Sequence, residues 1–590
     1  MVKPVIFILG VSALPLAKQL AAELQGEIHG PESYARATSH LADLFNAGRT
    51  IVGICASGIL IRALAPHLSD KRSEPPVLAV AEDGSSVIPL LGGHHGANDL
   101  VRQIAALTKG HAAITTASEV TLGFALDDVL PGYTLANPED VKAATAALLQ
   151  GIPLSIIRHS GESRNLIPFV TQHPEIAKWT PAFAGVTVEV TDEIKAGGPN
   201  HLIYHPHTLA IGVGCERGTN PQEVADLVES TLKSKNLSIQ SVAGFASINL
   251  KEDEPAISSL CNVRYFTAAE LNVYSPDLKT PSDYVMAEVG TPGVAEAAAL
   301  ALAGPGAELI VAKTKSKRAT CAVARSAKPI LQLCGKTRGL LSVVGIGPGS
   351  AQMRSPTSSN ALATATDWVG YDLYLDLIAD IKTDQIEHRF PLGGEETRVR
   401  HAIDLAKQGK QVALVCSGDA GIYAMAALVY EIIDLEPNRI KVEVVPGISA
   451  FQAAAAKAGA MIGHDFCCIS LSDLLTPWEA IEKRVKAAAE GDFVISFYNP
   501  RSLKRRDQLE RAFAILRDHR SSDTPVIIAS NLGRAEEKVA IVKFADFNPD
   551  DVDMLTLVMV GSSQSKSMRR GDGKTYAYTP RGYAKKRETP

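Results

Sequence analysis

Glycine-bearing turns set directly after short apolar runs are the residues of this chain best suited to chemistry. Gly345-Ile346-Gly347-Pro348-Gly349 follows the run Leu340–Val344. Ser417-Gly418-Asp419-Ala420-Gly421-Ile422-Tyr423 follows Gln411–Cys416, and Pro446-Gly447-Ile448-Ser449-Ala450 follows Lys441–Val445. Glycine lets a backbone come close to a ligand or to a neighbouring turn. Ligands of open α/β sheets collect at the carboxyl ends of strands, where these turns would lie. The first turn, taken alone, reads equally well as structural. It lacks the glycine spacing of a dinucleotide fingerprint, and Pro348 removes an amide that such a site would use. No acidic residue closes a second strand at the expected distance in a clear setting, which disfavours a nicotinamide dehydrogenase.

In the first half of the chain the candidates are histidines, a cysteine and lysines. His94-His95, among glycines and with Glu82 and Asp83 nearby in sequence, offer either a general base or a plain turn. His205-Pro206-His207 has the look of a metal pair but lacks further ligands at characteristic spacing, so no metal is expected. Cys215 after a strand-like run suits a buried structural cysteine better than a nucleophile. Lys313 and Lys315 suit either substrate carboxylates or a solvated strand face.

These residues must be held by something larger than one core. At 590 residues the chain calls for two to four domains. Strand-like and helix-like runs alternate almost throughout, which predicts α/β layers. Val5–Leu9 leads into a helix over Leu14–Leu24, Thr50–Cys55 into Ile59–Leu68, and Pro76–Ala81 follows. The pattern weakens from Leu130 to Asn200. Within that gap, residues 158–187 differ in composition from their Ala/Val-rich flanks and read as an inserted, repeat-like surface excursion. A strand at LAIGVGC (209–215) then precedes a helix over Gln222–Lys233, with Thr219 or Asn220 as N-cap before Pro221. The expected division is 1–105, 106–200, 201–338 and 339–590.

Hydrophobic residues at 46% and charged residues at 21% are an ordinary globular balance. A formal net charge of -5 gives no global field for nucleic acid. The basic end, with Arg569, Arg570, Lys585, Lys586 and Arg587, reads as a solvated tail or as help in holding an acidic ligand. Scattered cysteines without metal spacing point to a reducing cytoplasm. No apolar run approaches the ~18 residues of a membrane span.

Taken in order, GIGPG, SGDAGIY, VPGISAFQAA, FYNPRS, SNLGR and VMVGSS resemble the tetrapyrrole methylase family. FYNPRS and the ending YTPRGYAKKR are most similar to its ring-contracting precorrin-3B C-17 methyltransferases. The resemblance implies two α/β subdomains with S-adenosylmethionine between them, and a homodimer through this module. It implies cofactor contacts at Gly418, Asp419, Ala420, Gly421 and Ile422, at Gly447, Ser449 and Ala450, and at Met559. Gly345, Gly347, Pro348 and Gly349 would shape the floor where cofactor and tetrapyrrole meet. Asp419 reads equally as a turn-stabilising residue. Tyr498 and Arg501, with His464 and Asp465, are candidates by type for moving protons, each with a structural alternative. Arg501, Lys504, Arg505, Arg506 and Arg534 suit substrate carboxylates.

The first 330 residues resemble the cobalamin biosynthesis protein CbiG family, through GICASGILIRALAPHL, AVAEDGSSVIPLLGGHHGAND, IGVGCERGTNP and GTPGVAEAAA. That resemblance implies opening of the ring A lactone of cobalt-precorrin-5A with release of acetaldehyde. Here His94 and His95 would be the catalytic candidates. The narrower alternative is an active methyltransferase carrying a non-catalytic tetrapyrrole-binding half. Whether the substrate carries cobalt stays open.

Overall fold

The computed structural model describes residues 3–69, 74–115, 126, 129–152, 154–158, 185–502 and 506–583. The chain forms two compact units, one of Met1–Asn249 with Pro255–Gly335, the other of Leu250–Glu254 with Lys336–Pro590. The α/β class holds in both.

Among the described residues the first unit contains three sheets. The first sheet runs in the order Glu27–His29, Val5–Ile8, Ile51–Ile54, Val77–Val80, Ser86–Leu91, His111–Ala112. Its first four strands are parallel. Val5–Ile8, Ile51–Ile54 and Val77–Val80 are buried at every residue, because helices cover both faces. Ile6, Ile8, Val52 and Ile54 pack with Ala17 and Leu20 of helix Leu14–Leu24. The alternate residues Val5, Phe7 and Ile51 pack with Leu41, Phe45 and Leu60 on the other side.

The weakly patterned stretch holds a sheet of its own, in the order Tyr133–Leu135, His201–Pro206, Val186–Val190, Leu154–Arg158. Leu154–Arg158 and Val186–Val190 are parallel neighbours in register. Arg158, Val186 and Thr187, at the ends of the repeat-like stretch 158–187, lie in these two strands, and most of that stretch falls outside the described residues. The third sheet runs Val263–Phe266, Val242–Ile248, Leu209–Cys215, Ala319–Arg325, Glu308–Lys315. Beside it lies helix Pro221–Lys233, with Pro221 at its start and Asn220 Oδ1 accepting from Gln222 N at 3.0 Å. Helix Val294–Ala303, poor in charge, has all but its first residue buried.

The second unit has two main sheets. One is wholly parallel, in the order Ile386–Phe390, Asp367–Tyr371, Gln411–Cys416, Leu340–Gly345, Lys441–Val445. The other is mixed, in the order Phe466–Ser470, Val494–Tyr498, Thr556–Val560, Pro525–Ser530, Lys538–Lys543. Strand Gln411–Cys416 is preceded by helix Glu395–Lys407. Glu395 and Glu396 occupy its first turn, where the helix dipole favours negative charge. Among the described residues no single helix is long and apolar enough to cross a membrane.

A polar chain braces the parallel sheet at its margin. Asp367, 1% exposed, accepts from Lys410 Nζ, His388 Nε2 and Thr366 Oγ1 at 2.7–2.8 Å. His388 Nδ1 in turn meets His401 Nε2 at 2.9 Å. Burial, then the neighbouring His388, holds the His401 ring below its ordinary 6.5. Burial alone would raise the Asp367 carboxyl, but its three hydrogen bonds outweigh that and hold it below 3.8. Both groups bind protons more tightly unfolded than folded. Their contributions are therefore present at neutral pH and are lost on acidification, His401 as pH falls through 6.5 and Asp367 below about 4. The melting temperature of this unit should fall between pH 7 and 5.5. His401→Gln should remove that part of the slope and leave the steeper loss below pH 4, which a pH series of thermal melts will show.

Candidate functional site

All-parallel pairing puts the carboxyl ends Gly345, Cys416 and Val445 on one edge of the sheet, so the three glycine turns meet there. They are stitched together by backbone. Gly347 N donates to Gly418 O at 3.1 Å and Gly418 N to Gly347 O at 2.8 Å. A side chain at Gly447 would collide with Gly418 O, and one at Gly345 would come within 2.7–2.9 Å of Gly418 O, Gly447 N and Ala420 N. Those two glycines permit turn-to-turn packing. Gly418 differs. Its φ is +70°, and a Cβ there would meet nothing nearer than Ala450 N at 4.0 Å. It lines the open cleft, where a ligand can approach the chain closely.

Asp419 is the bridge between two of these turns. Its Oδ1 accepts from Gly421 N at 2.8 Å and its Oδ2 from Gly447 N at 3.0 Å. Ser449 is 3% exposed and caps helix Ala450–Ala458, with Ser449 N donating to Gln452 Oε1 at 3.0 Å. Ala420 is buried in the core of the parallel sheet.

The mixed sheet supplies the opposite wall. Tyr498, Asn499, Ala529, Asn531, Leu532 and Leu557 are among the residues lining a cleft of about 210 Å³ with Pro348, Gly418, Asp419, Ile422 and Ala450. Strand Thr556–Val560 is antiparallel to both its neighbours. Its beginning, Met554–Leu557, therefore lies at the cleft edge. Met559 lies deeper, 0% exposed in the core with Phe451 and Ala453, and is not among the lining residues.

Tyr498 stands at the centre of that wall. Its hydroxyl accepts from Phe451 N at 3.3 Å, at the start of helix Ala450–Ala458, and its ring lies 5.1 Å from that of Tyr423. Burial pushes the phenol strongly up, so it stays protonated and can donate into the cleft. Arg501 faces elsewhere, with Nη1 on Pro549 O and Nη2 on Asp550, both at 2.8 Å. His464 Nε2 meets Pro580 O at 2.8 Å and holds the tail segment. Arg534 reaches across to the glycine turns, donating to Pro348 O and Ser417 Oγ at 3.1 Å each. Gly349 has no side chain because the Arg534 stem occupies the space, its Cγ 2.5 Å from where a Cβ would sit. Lys504 and Arg505 lie outside the described residues.

In the first unit the candidates do not converge. His94 and His95 end a short turn, Gly93–His95, between Gly92 and Gly96. His95 is exposed, and the side chain of His94 lies outside the described residues. Asp83 accepts from Ser85 N within its own turn. His205 Nδ1 meets Thr191 O and His207 Nε2 meets Thr134 Oγ1, each at 2.7 Å. Burial lowers both rings' pKa, so both are neutral, and each is satisfied by an oxygen of the chain. Lys313 Nζ donates to Thr280 O at 2.7 Å. The nearby Glu296, which sequence reasoning passed over, is a heavily bonded carboxylate. It is 1% exposed and accepts from Lys279 N, Thr280 N, Thr280 Oγ1 and Lys313 N at 2.7–3.1 Å.

A parallel sheet and a mixed sheet with a glycine-lined cleft between their edges define a small-molecule-binding α/β enzyme unit. Family comparison makes the class specific. Residues 340–548 match the Tetrapyrrole (Corrin/Porphyrin) Methylases. Residues 39–119 match the N-terminal module of Cobalamin synthesis G and residues 209–324 its C-terminal module. A Salmonella typhimurium protein, "Probable cobalt-factor III C(17)-methyltransferase", is 45% identical over 99% of its length and 41% of this chain. A Sinorhizobium protein, "Precorrin-3B C(17)-methyltransferase", is 41% identical over 98% of its length and 42% of this chain. The solved methyltransferase CobJ is 39% identical, all of it matched by 41% of this chain, at a TM-score of 0.39. The chain belongs to the tetrapyrrole methylases, a family that uses S-adenosylmethionine as methyl donor, and joins a methylase unit to both Cobalamin synthesis G modules.

Proposed function

We propose that the second unit transfers a methyl group from S-adenosylmethionine to C17 of precorrin-3B or its cobalt-bearing counterpart, with contraction of the macrocycle. The observation that carries this reading is identity above 40% along essentially the whole length of two C17-methyltransferases. The residues present fit the donor. Gly418 leaves a bare backbone in the cleft, Tyr498 and Leu557 offer flat and apolar surface to a base, and Asn499 and Asn531 offer amides. Bound there, S-adenosylmethionine supplies a methyl group on a sulfonium, already electrophilic. The protein's share of the work is alignment and exclusion of water, worth several powers of ten in rate. The stitched turns Gly345–Gly349, Ser417–Tyr423 and Pro446–Ala450 hold one wall, and Tyr498, anchored by Phe451 N, holds the other. The Tyr498 phenol is the donor in place to hold a proton near the macrocycle.

The first unit, on the same reading, opens the ring A lactone of cobalt-precorrin-5A and releases acetaldehyde, so both halves serve corrin-ring assembly. His95, on an exposed turn, is its accessible base. A homodimer through the methylase unit completes the assembly.

The test is to incubate the purified chain with S-adenosylmethionine and either precorrin-3B or the cobalt form. Methyl gain is followed by mass and contraction by absorbance. Turnover of one form establishes C17 chemistry and shows which metal state is preferred. Donor binding without methyl gain on either macrocycle would move the unit to another methylase specificity. Acetaldehyde release from cobalt-precorrin-5A tests the first unit. Its absence leaves that unit a non-catalytic binding module.

A further inference from the structure

Tyr374 escapes a reading of the sequence, and its surroundings are unusual for a phenol. It sits on the short helix Asp372–Asp376, just past strand Asp367–Tyr371, and lines the cleft beside Pro348, Ser417 and Arg534. Its hydroxyl has no hydrogen-bond partner among the described residues. Two guanidiniums lie within electrostatic reach, those of Arg534 and Arg398. Arg398 is 4% exposed and bonds only neutral groups, Pro391 O and Gly393 O at 3.0–3.1 Å and Met425 Sδ at 3.6 Å. Arg534 also bonds only neutral oxygens, through Nε and Nη2, and its Nη1 has no acceptor among the described residues. The ionisable groups that act on Arg534 are tyrosines, and no carboxylate is among them.

A half-buried guanidinium without a counter-charge is costly unless a ligand supplies one. Here it shares a wall with a donor that also lacks an acceptor. We propose that Tyr374 and Arg534 together seat a carboxylate of a bound ligand, the phenol and the guanidinium Nη1 each donating one hydrogen bond to it. The inference rests on the methylase reading, under which two carboxylate sources reach this wall. One is the amino-acid end of the methyl donor and the other is a peripheral acid of the macrocycle. Both present the same anion to the same two donors.

The experiment titrates the full chain with S-adenosylhomocysteine and with 5′-methylthioadenosine, which keeps nucleoside and sulfur but has no carboxylate. Failure of the wild type to bind S-adenosylhomocysteine overturns the methylase reading and the seat with it. Tyr374→Phe removes a hydroxyl that no other described residue uses, so the fold should be untouched. If the seat holds the donor, this variant binds S-adenosylhomocysteine about tenfold more weakly and methylthioadenosine unchanged. If it holds the macrocycle, both affinities stay and the KM for tetrapyrrole rises about tenfold at unchanged kcat. Arg534→Lys, which keeps charge but loses the fork, should move the same quantity in the same direction. Equal weakening of both nucleosides, or no change in affinity and KM, overturns the seat.

Discussion

Asp419→Ala should bind S-adenosylhomocysteine about a hundredfold more weakly than the wild type while the protein still folds. The carboxylate joins Gly421 N and Gly447 N, so its loss removes two charge-assisted hydrogen bonds. Each is worth about 1.5–3 kcal/mol, and their sum corresponds to two or more powers of ten if it is felt at the ligand. It should be felt there, because the two turns it joins carry Gly418, Ile422 and Ala450, which line the cleft. Asp419→Asn should fall between wild type and alanine. It keeps one acceptor but turns an amide N–H toward one of the two backbone donors. Isothermal titration decides it. Wild-type affinity in the alanine variant would show that the turns keep their places without the bridge.

Glu296→Ala should destabilise the first unit by about 4 kcal/mol, a loss large enough to show as an early transition in chemical denaturation. Four donors converge on this carboxylate. Removing it leaves three part-buried backbone amides and a hydroxyl without this acceptor, at about 1–3 kcal/mol each where water cannot replace it, partly offset by relaxation. Burial favours the neutral acid, yet the hydrogen bonds outweigh it and hold the carboxyl below its ordinary 4.5. The stabilisation is therefore present above that pH and lost on acidification below it. Glu296→Gln should recover only part, because one of its two acceptor atoms becomes a donor facing donors. Unchanged denaturation in both variants would mean that segment Lys279–Thr280 and strand Glu308–Lys315 are held by other contacts.

The α/β class could be read from the chain because fully covered parallel strands leave continuous apolar runs, as at Ile51–Ile54 and Val77–Val80. The three glycine turns share an edge for the same reason: every strand before them points one way. Strand direction is what the sequence does not write. Thr556–Val560 runs against its neighbours, so the residues at the cleft are those that begin it, and Met559 falls in the core. The middle sheet was hidden because its strands are short and two of them border a stretch of foreign composition. His205 and His207 look by type like a metal pair, though their spacing led to no metal being expected; the oxygen of the chain that meets each ring is seen only in the fold. Tyr374 gave no signal, since a phenol without a partner looks in sequence like any aromatic residue on a helix.

The pairing of Leu154–Arg158 with Val186–Val190 has an engineering consequence. Parallel neighbours cannot be joined by a tight hairpin and always need a long return path. The entropy cost of such a path grows only logarithmically, about 0.6 kcal/mol for each doubling of its length. The junction is thus a natural cassette port. Chain can be added or exchanged between these strands at little thermodynamic penalty, which makes it the place to splice in a reporter domain or an affinity handle.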